Sequence, residues 1–227
     1  MKTFVQWVEN AEGKRKIFVL VGPPSVGKST WIKNTFHDEP YIINRDGIVD
    51  RVAGSLQMTY DDMFMFPASN SQVGDIHPKY GQVFPSPAFM TWQPLSYDKI
   101  VQANNQINAT LRQRISRAVE SGQDIVVDMT NMNAKARKSA LEAVKGHEEV
   151  FHKVAVIFPF QGSEDVIKKV AAKRAKEVRD AGGSKTIPDS AFDRMFSSFE
   201  EVSPSEGFDD IVMYDNRELL SNLAQGL

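Results

Sequence analysis

The sequence contains no cysteine. Disulfides and thiolate metal sites are therefore excluded, and nothing requires an oxidising compartment. Long apolar runs are also missing, the longest being strand-sized, so no membrane span is expected. Met1 to Lys16 mixes charged and apolar side chains and lacks the apolar stretch of a signal peptide. The expectation is a cytoplasmic protein with no membrane contact. A large net excess of either charge is missing too. A formal net charge of -2 gives no global field to draw the chain onto nucleic acid, so any such contact must be local. Internal repeats, low-complexity tracts and an Asp-x-Asp phosphatase signature are all absent.

What is present fits a single domain. Its 227 residues suffice for one good-sized core and are marginal for two. Ile17 to Val21 is an apolar run closed by Gly22 and Pro23, which reads as a buried parallel strand. Further strands are expected at Tyr41–Ile43, Ile125–Val127, Val154–Phe158 and Asp210–Tyr214. Between them fall helical patterns: Ser29 to Phe36, Asp98 to Ser121 ending at Gly122, and a helix capped by Asn133 and ending at Gly146. Ser163 opens another, broken at Gly182-Gly183, and Pro188 starts the last. Strands alternating with helices predict an α/β fold, a central parallel sheet with helices on both faces. Residues 52–97 mix prolines, methionines and aromatics without a clear period. They read as an irregular insertion, either a flap over the substrate side or a plain packing excursion.

Gly22-Pro23-Pro24-Ser25-Val26-Gly27-Lys28-Ser29 fits G-x-x-x-x-G-K-[ST] between a strand and a helix. The spacing has a physical reason. Backbone N–H groups of such a loop can point inward at phosphate oxygens, and the helix beginning near Lys28 aims its positive end at them. Lys28 can reach the outer phosphates, the Ser29 hydroxyl can ligate Mg2+, and Thr30 lies close by. The pattern predicts a bound nucleoside triphosphate and leaves the acceptor open.

Ligands of parallel sheets sit beyond the carboxyl ends of the strands. Gly22, Asn44 and Asp128 each follow a strand, so three polar sites are expected to meet in one crevice. Asp46 is placed either to accept a proton from an acceptor hydroxyl or to cap a following helix. Arg45 and Arg51 are candidates for substrate contact, Arg51 equally for a solvated surface. In Asp128-Met129-Thr130-Asn131, the polar side chains can hold an acceptor, and Asp128 can alternatively serve the metal. Lys173, Arg174, Lys176, Arg179 and Lys185 surround the glycine pair, as in a lid of about 174–188 closing on triphosphate, or else as a solvated basic face.

Taken in order, Gly22 to Trp31, Ile43-Asn44-Arg45-Asp46, Thr130-Asn131-Met132-Asn133 and the Arg174/Arg179/Lys185/Pro188 stretch resemble the bacteriophage polynucleotide 5′-kinase domain of the P-loop kinase superfamily. The resemblance spans most of the chain outside 52–97. It implies one P-loop kinase domain over 1–227 that uses ATP and Mg2+, in the host cytoplasm if phage-encoded. Lys28 and Ser29 would bind triphosphate and metal, and Asp46 would activate a 5′-hydroxyl. Arg179, or else Arg174, would be the lid arginine, and Thr130 would lie by the acceptor strand. The chain departs from that pattern at Gly47, where the family has a second aspartate. It also departs at Arg51, whose spacing is shifted, and at Met129, where the family's aspartate falls one place earlier, at Asp128. All three changes touch acceptor binding. The residues therefore admit a kinase of a polynucleotide 5′ end, a kinase of a nucleoside, metabolite or antibiotic, and a nucleotide-dependent switch. Phe64, Phe66, Trp92 and Tyr97 could close on a compact ligand or stack on bases.

Overall fold

The computed structural model describes residues 13–58, 60, 97–183 and 185–225, with no side-chain description for 97–100. Its strands are β1 (Arg15–Val21), β2 (Tyr41–Ile43), β3 (Ile125–Val127), β4 (Phe151–Ile157) and β5 (Asp210–Met213). They form one parallel sheet in the order β2-β3-β1-β4-β5. The chain leaves β1 for β2 and β3 on one side and later crosses to β4 and β5 on the other. β1 therefore sits where the strand order reverses, the usual place for a ligand crevice.

The helices are α1 (Lys28–Thr35), α2 (Arg45–Ser55), α3 (Tyr97–Glu120), α4 (Ala134–Leu141), α5 (Glu164–Asp180), α6 (Asp189–Ser197) and α7 (Arg217–Gln225). Side chains of a strand alternate between its faces, and the core divides accordingly. Phe18, Leu20, Val126, Val154 and Val156 face one way and pack with Trp31, Phe158, Ile167, Phe192 and Leu220. Ile17, Val19, Ile125, Val127 and Ala155 face the other and pack with Ala118, Ala140, Val144 and Phe151. Both faces are covered, which is why β1 is apolar at every position from Ile17. A third cluster joins α2 to α3 through Ile48, Val49, Val52, Ala103 and Ile107, with Met58 and Tyr60 beside them.

The expected elements form, with three differences. The helix after Asn133 ends at Leu141 and finishes in a 3-10 turn over Glu142–Val144 before Gly146. Ser163 occupies the N-cap position of α5 but makes no side-chain capping bond. The helix begun at Pro188 is not the last, because α7 follows β5. Most of the 52–97 insertion lies outside the described residues, as do Phe64, Phe66 and Trp92; α2 carries its first part to Ser55. Among the described residues, no helix is long and apolar enough to cross a membrane.

One buried charge ties the loop after β3 to the segment before β5. Arg137 on α4 is 0% exposed. Its guanidinium grips both Glu206 oxygens at 2.7 and 2.8 Å and donates to the carbonyls of Asn131, Glu200 and Glu201. Hydrogen bonding from Arg137 holds the Glu206 carboxyl below the ordinary glutamate range. Arg137→Ala strands Glu206 and three carbonyls, so it should cost roughly 3 kcal/mol in urea unfolding at pH 7. A depressed carboxyl stabilises fully above its unfolded pKa and loses that contribution as pH falls through the folded value. The wild-type midpoint should therefore drop below about pH 4.3, and the variant should lack that step.

Candidate active site

Strand register brings the polar segments together. Ile43 and Val127 are partners in the β2–β3 ladder, so Asn44 and Asp128 leave the sheet side by side. Asn44 uses both ends of its amide. Its Oδ1 accepts from Gly47 N at 3.1 Å, capping α2, and its Nδ2 donates to Asp128 Oδ2 at 3.2 Å. The helix cap expected as one reading of Asp46 thus belongs to Asn44. Asp46 stands in the first turn of α2 and takes no part in that cap.

The loop after β1 is fixed at its first residue, where Gly22 N donates to Thr130 O at 2.9 Å. Ser25 has φ of 65° and Gly27 of 105°, left-handed values that bend the loop back on itself. At Gly27 such a backbone favours glycine, and a Cβ would also strike Leu219 Cδ2 at 2.4 Å. Lys28 is 9% exposed and curls into this ring, donating from Nζ to the carbonyls of Gly22 and Pro23, both at 2.8 Å. Burial pushes its ammonium down to about 8, against the upward pull of Asp128 and Asp46.

A cavity of about 600 Å³ opens beside the loop. Pro24, Ser25, Gly27, Lys28, Ser29 and Thr30 line one side, Arg45, Asp46, Asp128 and Thr130 another, and Arg174 a third. Gly22, Pro23 and Val26 lie behind it as loop backbone, with Val26 buried. Three expected residues stand elsewhere. Asn131 is 2% exposed, and its amide donates to Leu20 O at 2.8 Å, just past the point where β3 stops pairing with β1. That carbonyl must be satisfied, so the Asn131 side chain serves the sheet and is not turned to an acceptor. Arg51 is exposed on α2, away from the cavity lining, and Arg179 is exposed with a 3.4 Å bond to Thr186 Oγ1.

The segment between α5 and α6 contributes Lys185. Its Nζ lies 3.1 Å from Asp46 Oδ2 and 4.9 Å from the centre of the Tyr60 ring. Tyr60 Oη donates to Asp46 Oδ1 at 3.2 Å. Both Asp46 oxygens are thereby engaged. Asp50 faces the same space, and burial raises its carboxyl, with Lys185 opposing and Asp46 assisting. Burial likewise raises Asp128, opposed first by Lys28. Tyr60 carries no sequence signal, since it follows α2 at no motif spacing. Lys185 was visible only as one of several lid cations.

The donor set fits a magnesium nucleotide. A buried ammonium at the start of α1 suits a polyphosphate, and the Ser29 hydroxyl and Asp128 carboxylate offer hard oxygen ligands in the same cavity. Among the described residues, no group of three His, Asp or Glu side chains could hold a metal unaided.

A five-stranded parallel sheet with this loop on its first strand defines a P-loop protein with the P-loop kinase fold. Residues 17–202 match the family described as AAA domain, and the chain belongs to it. No curated protein matches the chain significantly. Among the solved structures that resemble it, three illustrate the range. One is a chain of the Pnkp1/Rnl/Hen1 RNA repair complex, at 17% identity and a TM-score of 0.47, over 84% of this chain and 46% of that one. This chain thus spans less than half of that relative. A gluconokinase from Sinorhizobium meliloti 1021 gives 16% identity and a TM-score of 0.35, over 94% and 89% of the two chains. The PezAT chromosomal toxin-antitoxin system of Streptococcus pneumoniae gives 11% and 0.39, over 98% and 90%.

The lowered Lys28 value has a consequence for nucleotide affinity. Below about pH 8 the ammonium is charged before ATP arrives; above it, binding must take up a proton. Affinity for a fluorescent ATP analogue should be flat up to about pH 8 and then fall by up to about tenfold per unit. Lys28→Met should bind weakly and lose that slope.

Proposed function

We propose that the chain is an ATP-dependent phosphotransferase that moves the γ-phosphoryl group to a hydroxyl, with the 5′-hydroxyl of a polynucleotide as the first choice of acceptor. The observation that carries the transfer reading is that Asp46 shares a cavity with Lys28, Ser29 and Thr30. A carboxylate facing the outer end of a polyphosphate cradle is what acceptor activation requires. The polynucleotide reading is supported by the resemblance of the Asn44-Arg45-Asp46 and Thr130-Asn131 segments.

In this reading the acceptor oxygen attacks the γ-phosphorus as the bond to the β–γ bridging oxygen breaks. Its proton passes to Asp46. Lys28 and the loop amides hold the β- and γ-phosphates, while Ser29 and Asp128 would hold Mg2+, which supplies charge neutralisation when bound. Arg174 and Lys185, both on the cavity wall, offset the charge of the transferred group. Arg45 is the cation nearest Asp46 in sequence and is assigned to the acceptor, as is Thr130. Arg51 and Arg179, standing outside the lining, would act only after a movement of α2 or of the lid. Tyr60 orients the base.

One observation favours a second reading, a small uncharged polyhydroxy acceptor. Asp46, Asp50 and Asp128 all line the cavity, and three carboxylates disfavour a polyanion there.

Incubation with γ-labelled ATP and Mg2+ separates the two, offering 5′-hydroxyl DNA, 5′-hydroxyl RNA, nucleosides and sugars. Label on an oligonucleotide upholds the first reading; label confined to nucleosides or sugars replaces it with the second. With the preferred acceptor, Asp46→Asn should lower kcat about 10²- to 10⁴-fold with ATP-analogue affinity changed by less than about threefold. Transfer at the wild-type rate would remove Asp46 from the role of base.

A further inference from the structure

The phosphate cradle has a support that lies beyond both the loop motif and the family match, which ends at residue 202. Asn216 stands between β5 and α7 and is 1% exposed. Its amide nitrogen donates to Val26 O at 3.1 Å and to Pro159 O at 3.0 Å. Only the nitrogen end of an asparagine amide can donate, so two carbonyl partners fix which way the group faces. Its main-chain carbonyl accepts from Leu220 N at 2.9 Å. Asn216 therefore joins the loop after β1, the segment after β4 and the first turn of α7. Leu219, from that same turn, fills the space where a side chain on Gly27 would lie. Two successive loop residues, Val26 and Gly27, are held from behind by one short stretch of chain.

Direction follows from peptide geometry. None of the described peptide bonds is cis. In a trans peptide the C=O and the following N–H point to opposite sides. With the Val26 carbonyl drawn onto Asn216, the N–H of Gly27 faces the other way, into the hollow beside Lys28. Net stability does not account for the residue equally well. Its Oδ1 is buried with no hydrogen-bond partner among the described residues. Such an orphaned acceptor offsets much of what the two donated bonds contribute. What an amide supplies here, and an apolar side chain could not, is an orientation for the loop.

We propose, given that the loop binds polyphosphate, that Asn216 is a positioning residue for that binding. It turns the Val26–Gly27 peptide so that the Gly27 N–H meets a phosphate oxygen, with Leu219 as the packing stop behind it. The ligand class affected is any polyphosphate tail, whatever base or acceptor accompanies it.

The test uses the full chain with Asn216→Ala, and Leu220→Ala as a control. Leu220 packs in the core from the same helix, and its apolar side chain can make no hydrogen bond to the loop. Urea midpoints and affinities for ATP and for inorganic tripolyphosphate are measured on all three proteins. The expected result is that Asn216→Ala weakens both ligands by the same factor, about 10- to 100-fold, with a small midpoint change. Leu220→Ala should lower the midpoint and leave the affinity of the folded protein within about twofold. Wild-type-like tripolyphosphate affinity in a folded Asn216→Ala overturns the proposal. So does an equal affinity loss in Leu220→Ala, which would make the effect one of general stability. Failure of the wild-type chain to bind tripolyphosphate would sink the polyphosphate reading itself, and the proposal with it.

Discussion

The interaction on which the site depends is the enclosure of one ammonium by its own loop. Lys28 is almost fully out of water, held by two carbonyls at 2.8 Å. Lowering a lysine from 10.5 to about 8 corresponds to a penalty on the order of 3 kcal/mol against the charged form. That net penalty remains after the opposing fields of Asp128 and Asp46 have acted. An incoming polyphosphate would offset it, because it brings full negative charge into a place already cleared of solvent. The fold supplies what the loop cannot: a rigid strand on one side, a helix start on the other, and buried packing of Trp31 and Val26 beneath. Energy spent on desolvation during folding is thus available as attraction when nucleotide binds.

A second constraint is the shared orientation of the strands. In a parallel sheet every strand ends on the same side, so the residues that follow them have no choice but to converge. Asn44 exploits this economically, since one amide both starts α2 and steadies Asp128. The same convergence crowds three carboxylates and two lysines into one space. Their mutual fields run through each of the shifted groups there, with Lys28, Asp50 and Asp128 all feeling Asp46. A change at any one of them would be felt by the others, and their effects should not be additive.

The sheet was legible because its strands are continuous apolar runs closed by glycine, proline or a polar residue. The loop was legible because its glycine spacing is imposed by phosphate geometry. Convergence of Gly22, Asn44 and Asp128 follows from the shared direction of the strands they close. Legibility failed where one residue type admits two jobs. Asn131 looked like an acceptor ligand, yet the sheet needs its amide at the carbonyl of Leu20. Arg179 looked like the lid cation at the site, whereas Lys185 lies against Asp46. Tyr60 and Asn216 left no trace, because each acts across a distance in sequence that no local pattern records. The helix after β5 spans only Arg217–Gln225, too short for its few apolar positions to set a helical period of their own.

The bond between Asn216 and Val26 spans 190 residues of sequence. Translation delivers the loop 190 residues ahead of its amide partner. A growing chain would therefore carry the complete glycine-lysine motif over that whole interval without the brace that aims it. Closing so long a separation is entropically slow relative to local helix formation. The nucleotide-binding surface would then mature only after that interval, and a chain stalled within it would present the signature of a nucleotide-binding protein without its grip.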